Sequence, residues 1–220
     1  MLFRSAVYEI IESLVFAIVS VIVLFTFVAR LSVVDGSSMY PTLSDKDYLV
    51  VSDLFYTYSP DNGDVVVIHT DDYEKPLVKR VIATEGQEIK IRYYEGDESI
   101  EDDIYEVYVD GVLLDEKYAS YFLYKNPYTG EYYTSLPDVA YSIRKLHYKI
   151  PSNDDMSFSN EGGFYTFTTT VPEDSLFVMG DNRNDSLDSR YDSIGFIKEE
   201  FVLGKVVFRL LPFEKIGVIK

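Results

Sequence analysis

The chain has 220 residues, 47% of them apolar, with 20 Lys and Arg against 37 Asp and Glu, a formal net charge of −17. That composition supports a packed core of one or two domains and excludes wholesale disorder, while the acidic balance leaves no basic face for nucleic acid. Cysteine is absent and there are two histidines, His69 and His147, so disulfides, thiolate zinc sites and cysteine nucleophiles are excluded and a metal site built mainly from imidazoles lacks its ligands.

Leu14 to Ala29 reads LVFAIVSVIVLFTFVA, sixteen residues with nothing more polar than Ser20 and Thr26, before Arg30 interrupts and Leu31–Val34 continues the run. As a helix the uninterrupted part is about 24 Å long against a hydrocarbon core of about 30 Å. Snorkelling of Arg30 and the apolar surface of Val7, Tyr8, Ile10 and Ile11 make up the difference. The run lacks the polar face of a core helix, and it ends Phe27-Val28-Ala29, with a bulky Phe where a cleaved secretory signal needs a small residue. It predicts an uncleaved transmembrane anchor over 14–31 behind a short N-terminal segment, 1–13. Arg4 and the terminal amine on one side nearly balance Arg30 and Lys46 on the other, so charge barely sets the orientation.

Past the anchor, short β-branched and aromatic runs alternate with turn signals. They predict strands over Tyr48–Ser52, Val65–His69, Leu77–Ala83, Glu88–Tyr93, Tyr105–Asp115, Phe164–Val171, Leu176–Met179 and Lys205–Leu211. Within them Asp110-Gly111 marks a tight hairpin turn, because both residues accept positive φ. No later segment sustains a helical period. Residues 95–116 carry ten acidic and no basic side chains, Tyr is dense from Tyr93 to Tyr133, and 151–163 is polar and Gly-rich. This middle stretch predicts an inserted, solvated subdomain over 93–171 that could be deleted over most of 95–116 without touching the chemistry. A substrate-guiding or partner-binding surface is the alternative.

Three segments could carry chemistry. Val34-Asp35-Gly36-Ser37-Ser38-Met39-Tyr40-Pro41-Thr42-Leu43 predicts a tight turn with an exposed hydroxyl from Ser37 or Ser38. In Leu77-Val78-Lys79-Arg80-Val81-Ile82-Ala83, alternation puts Lys79 on the apolar face with Leu77, Val81 and Ala83. A lysine there either snorkels or loses its proton. Burial can lower its pKa by roughly 3–5 units, and a neutral lysine beside a serine is a general base. Gly180-Asp181-Asn182-Arg183-Asn184-Asp185-Ser186-Leu187-Asp188-Ser189-Arg190 interleaves arginines and aspartates as a hydrogen-bonded platform would.

Four boxes stand in order behind an apolar N-terminus: Ser38-Met39-Tyr40-Pro41-Thr42-Leu43, Gly63-Asp64-Val65-Val66-Val67, Lys79-Arg80-Val81-Ile82, and Gly180-Asp181-Asn182-Arg183 with Ser186 and Asp188-Ser189-Arg190. In this the sequence resembles the type I signal peptidases, membrane-anchored Ser–Lys proteases, and among them the Gram-positive-like branch. The resemblance covers about 32–92 and 172–215. It implies a mostly β fold, a transmembrane helix followed by an antiparallel sheet or partial barrel, with catalytic core 32–92 and 172–220. It makes Ser38 the nucleophile, Lys79 the general base and Ser186 the serine that hydrogen-bonds and orients that lysine. Asp181, Arg183, Asp188 and Arg190 become the structural framework, and Met39, Leu43 and Val78 line substrate pockets for small residues. It implies no cofactor and no metal, and secretory preproteins and membrane lipid as partners. The chain would be a monomer with its body on the extracytoplasmic side of the cell membrane. Three positions depart from the family's pattern: Gly36 where some members have Ser, Ala83-Thr84-Glu85-Gly86-Gln87 where Gly-Leu-Pro-Gly-Asp is commoner, and a link lengthened by Tyr191-Asp192-Ser193. Three other readings of the same residues are Ser38 with His69 and an Asp such as Asp71, a membrane-tethered module that grips extended peptides without cutting them, and a cytoplasmic Ser–Lys self-cleaving repressor-like protease, against which the sixteen-residue apolar run argues.

Overall fold

A computed structural model describes residues 2–27, 29–52, 59–70, 73–94, 105–119, 124–125, 132–133, 157–161, 164–183, 185–191 and 193–219. After helix α1 (Leu2–Phe27) come β1 (Ala29–Val33), β2 (Tyr48–Ser52), β3 (Val65–Thr70), β4 (Tyr73–Thr84) and β5 (Glu88–Tyr94). The middle of the chain holds β6 (Tyr105–Val109), β7 (Val112–Leu113), β8 (Tyr124–Lys125), β9 (Tyr132–Tyr133), β10 (Ser157–Glu161) and β11 (Phe164–Thr170). The last stretch supplies β12 (Ser175–Met179), β13 (Ile197–Lys198), β14 (Val202–Leu211) and β15 (Gly217–Val218). Among the described residues every strand pair is antiparallel, and helix after α1 is limited to two 3₁₀ turns, Glu199–Phe201 and Phe213–Lys215.

The anchor expected over 14–31 is corrected at its end. Ala29, Arg30 and Leu31 belong to β1, which pairs with β2 through Ala29↔Ser52 and Leu31↔Val50. The sheet takes up their backbone groups, so the helix stops at Phe27. Its apolar part, 14–27, is then about 21 Å long, shorter than a hydrocarbon core of about 30 Å. Among the described residues no helix is long and apolar enough to cross a membrane.

One sheet runs β1-β2-β14-β3-β4-β12-β13, with β15 beside β14. Its middle strands are apolar on both faces because each face meets a different core. In β3, Val65 and Val67 enter a cluster with Val34, Met39, Leu43, Leu49 and Val51, while Val66 and Ile68 enter one with Val81, Leu176, Val178 and Ile197. In β12, Leu176 and Val178 join that second cluster, while Phe177 and Met179 face a third. An unbroken apolar run is what a strand buried on both faces requires.

The second sheet runs β10-β11-β5-β6-β7. Its Ile89, Ile91, Val107, Val109 and Phe167 share the third cluster with Ile82, Ala83, Phe177 and Met179 of the first sheet. The boundary expected at 92/93 therefore falls inside β5, whose register with β11 runs from Glu88↔Thr170 to Tyr94↔Phe164. Residues 157–161, within the polar stretch, form β10 by backbone pairing with β11, which composition does not register. The hairpin at Asp110-Gly111 has φ of 50° and 76° and joins Val109 to Val112, as the dipeptide predicts.

Among the described residues the strand that carries Lys79 is paired on one side only before Arg80. β3 lies along one side of β4, while β12 pairs with it only from Arg80 onward. Val81 N–H donates to Asp64 O and Val81 O accepts from Gly63 N–H, both on the β3 side. Alternation then turns the main-chain groups of Val78 and Pro76 to the open edge. Pro76, lacking an N–H, is tolerated in a strand for that reason.

Candidate active site

Ser38 sits in the turn that follows β1. The turn is pinned from below by Met39 and Leu43, both fully buried in the core with Val34. Tyr40 N–H donates to Ser37 O and Leu43 N–H to Met39 O, which closes the turn. Gly36 has φ of 114°, which a side chain rarely adopts, and its N–H donates to Asp45 Oδ1.

Lys79 reaches Ser38 from β4: its Nζ donates to Ser38 Oγ at 2.7 Å. It is 2% exposed. Burial is the main cause that lowers its pKa from 10.5 to about 8; the Arg190 guanidinium adds to the shift, and the Asp188 and Asp181 carboxylates oppose it. A pKa of about 8 leaves about one Lys79 in ten neutral at pH 7, against roughly one in 2,500 for a free lysine. Five successive residues, 79–83, are buried, so the strand does not present an inward and an outward face at this point.

Beneath the pair lies a platform built from the end of β12 and the loop after it. Arg80 donates from Nε and Nη2 to the two oxygens of Asp181 at 2.8 and 2.7 Å, and from Nη1 to Gly63 O. Thr42 Oγ1 also donates to Asp181, tying the Ser38 turn to the platform. Asn182 N–H donates to Ser38 O at 3.0 Å and its Nδ2 to Ser37 O. Asp188 accepts from Arg190 Nε and Nη2, from Ser186 Oγ at 2.6 Å and from Gly180 N–H. Burial raises the Asp188 pKa, but Arg190 and these hydrogen bonds outweigh it and hold the carboxyl below its ordinary range. Gly180 admits no side chain, since a Cβ there would lie 2.4 Å from Ser38 O and 2.2 Å from Ser186 Oγ.

The expected residues thus occupy different places. Ser38 and Lys79 are in direct contact. Ser186 is expected on the lysine, but its hydroxyl donates to Asp188. Met39 and Val78 line a cavity of about 530 Å³ that opens beside Ser38 and Lys79, together with Val33, Val34, Val67 and Leu77. Leu43, expected at a substrate pocket, is instead fully buried in the core under the turn and is not part of that lining. His69 lies on β3 outside the cavity lining, and Asp71 is outside the described residues.

Two platform residues were missed in the sequence. Glu116, the last residue of the acidic stretch expected to be solvated, has its side chain 7% exposed and paired with Arg183 through both oxygens. The Tyr118 ring lies 4.1 Å from Arg80 and 5.9 Å from Arg183. Burial and Glu116 push its phenol up to about 12. The only trace in the sequence is Lys117-Tyr118 ending a run without a single base.

Comparison with known proteins identifies the family of the chain. The sequence profile of the family described as "Signal peptidase, peptidase S26" matches residues 7–211. A signal peptidase IB of Staphylococcus aureus is 31% identical over 214 residues, 94% of this chain and 92% of the relative. A probable signal peptidase I-2 of Synechocystis sp. is 28% identical over 218 residues, 96% of this chain and 76% of its own length. A crystal structure of a signal peptidase I from Enterococcus faecalis V583 aligns with 68% of this chain and 98% of that one, at a TM-score of 0.37 and 22% identity. With nearly the whole chain matched by the profile and by a relative above 30% identity, this protein belongs to the S26 family of signal peptidases.

Proposed function

We propose that Ser38 and Lys79 carry the activity that family membership gives this chain, removal of signal peptides by a serine endopeptidase. The observation that supports the dyad is the 2.7 Å contact between Lys79 Nζ and Ser38 Oγ at a lysine buried to 2% exposure. In the neutral amine the same contact runs the other way, the hydroxyl donating into the nitrogen lone pair. Ser38 Oγ then attacks the scissile carbonyl, and Lys79 takes its proton. Lys79 delivers that proton to the leaving amine, and a water activated by the same nitrogen hydrolyses the acyl-enzyme. The Ser38 backbone N–H stabilises the oxyanion, Gly36 leaving no side-chain donor two residues earlier.

An extended peptide would lie in the cavity between residues 32–35 and 75–79. Its walls of Val34, Val67, Val78 and Met39 favour small side chains next to the cut, in an Ala-x-Ala-like pattern. Ser186 acts on Lys79 through Asp188, whose charge it shares. Asp181, Arg183, Asp188 and Arg190 hold the loop that carries the site.

The enzyme works as a monomer at the cell membrane, with α1 inserted in the lipid, 1–13 on the cytoplasmic side and the body outside. What supports this is that the helix side chains from Tyr8 to Ile22 are all exposed, Phe16 to 75%. The preceding Tyr8, Ile10 and Ile11 lengthen the apolar surface, and a short span is met by local thinning of the bilayer.

The test is incubation of the detergent-solubilised chain with a secretory precursor and mapping of the cut by mass spectrometry. Cleavage after a small residue is expected from wild type and Ser37→Ala and none from Ser38→Ala. An active Ser38→Ala would remove the dyad. Full protection of the body from protease in intact spheroplasts would invert the topology.

A further inference from the structure

The chain enters the active-site platform a third time, from a segment that neither Ser38 nor Lys79 touches. After β7 it leaves the second sheet and brings Glu116 and Tyr118 onto the loop at 180–183. Arg183 is 1% exposed and spends both terminal nitrogens on Glu116. Its third donor, Nε, reaches Gly180 O at 3.0 Å. A guanidinium is a rigid planar fork, so fixing two of its nitrogens fixes the direction of the remaining one. Gly180 is the tightest point of the site, wedged against Ser38 O and Ser186, with its own N–H on Asp188. Two residues on, Asn182 N–H holds Ser38 O. Tyr118 covers the faces of both Arg80 and Arg183, and its hydroxyl donates to Glu116 Oε1 at 3.3 Å.

We infer that Glu116, supported by Tyr118, is a positioning residue for the cleavage reaction: it aims Arg183 at the Gly180 carbonyl and so sets where the 180–188 loop holds Ser38 and Asp188 relative to Lys79. The inference rests on the Ser38–Lys79 reading. A deletion over most of the acidic stretch would therefore have to stop short of Glu116, which is bound to Arg183.

The experiment compares kcat and KM on a signal-peptide substrate, and the urea unfolding midpoint, for the full chain in detergent. Glu116→Gln should lower kcat by at least about tenfold with KM within about threefold, because substrate contacts are untouched. The double variant Glu116→Leu with Arg183→Met removes both buried charges and should regain stability, yet kcat should stay low because the bond to Gly180 O is gone. A folded Glu116→Gln with wild-type kcat overturns the proposal. So does a double variant that regains both stability and kcat, for the pair would then be structural only. If Glu116→Gln does not fold, the double variant decides. Ser38→Ala, run beside them, separates the two claims: activity in Ser38→Ala sinks the dyad itself, whereas a dead Ser38→Ala beside a fully active Glu116→Gln sinks only the role of Glu116.

Discussion

Two groups of ion pairs flank Ser38, and the tightest pair of each meets at nearly the same distance. At the rim of the cleft Lys75 meets Asp35 at 2.8 Å, and Lys46 meets Asp35 and Asp45 at 3.3 and 3.2 Å. Below Ser38, Arg80 meets Asp181 at 2.7 Å and Arg190 meets Asp188 at 2.7 Å. The rim pairs are mostly exposed, with Lys75 at 81%, whereas Arg80 and Asp181 are at 2% and 0%. A difference of 0.1 Å does not separate the Lys75 pair from the platform pairs; burial does. In the rim, water competes for each ion and salt screens the attraction. In the platform, every carboxylate also takes hydrogen bonds from a hydroxyl, Thr42 on Asp181 and Ser186 on Asp188, so removing one partner strands the other without water. Lys79 is a third case, as deeply buried as the arginines but hydrogen-bonded to a serine hydroxyl.

The contrast breaks first at Lys79. Lys79→Arg keeps the charge but cannot give up a proton, so kcat/KM should fall on the order of 10³-fold while the protein stays folded. An enzyme within tenfold of wild type, by initial rates on a peptide substrate, would make Lys79 another structural cation. The wild-type rate should also rise with pH along a limb centred near 8, where Lys79 becomes neutral.

The next effect is on stability. Arg80→Met strands Asp181 in the platform and should cost about 3–5 kcal/mol in urea unfolding. A change below about 1 kcal/mol would mean that the platform behaves like the rim.

Lys79→Met should act in the opposite direction. The unfolded chain binds this proton up to about 10.5 and the folded one only up to about 8. Between those values the unfolded state holds more protons, so wild-type stability rises with pH through that window. Below pH 8 the wild type bears the whole burial penalty, on the order of 3 kcal/mol, which Lys79→Met removes. The gain should fade as pH approaches 10.5. A gain independent of pH would mean that packing, not charge, causes it.

The smallest effect belongs to the rim. Lys75→Met should change stability by no more than about 1 kcal/mol, and added salt should reduce even that.

Much of this was legible in the sequence, for local reasons. Val65–Ile68 reads as a buried strand because both faces meet core, and Asp110-Gly111 as a turn because it alone there accepts two positive φ values. The contact between Ser38 and Lys79 was legible as a family pattern and not from spacing, since 41 residues separate them. Leu43 lies in the core and not in the cavity lining, a distinction the sequence does not carry, because an apolar residue next to this turn looks the same in either place. The end of α1 was misread because Ala29 and Leu31 suit a helix in lipid as well as a strand beside β2. Glu116 was hidden by its neighbours: nine other acids in the run made it look solvated, and its partner Arg183 is 67 residues away.

Pro76 on the open edge of β4 limits how much of a peptide that edge can grip. Between Pro76 and Arg80, where β12 takes over, Val78 is the one residue that offers the edge both an N–H and a C=O; Pro76 adds a carbonyl alone. A peptide strand docked there finds one donor and two acceptors, too short a ladder to register a long sequence. On the Ser38–Lys79 reading, a peptide laid along this wall would be held by few main-chain bonds beside the cut, so the wall would constrain little of its sequence.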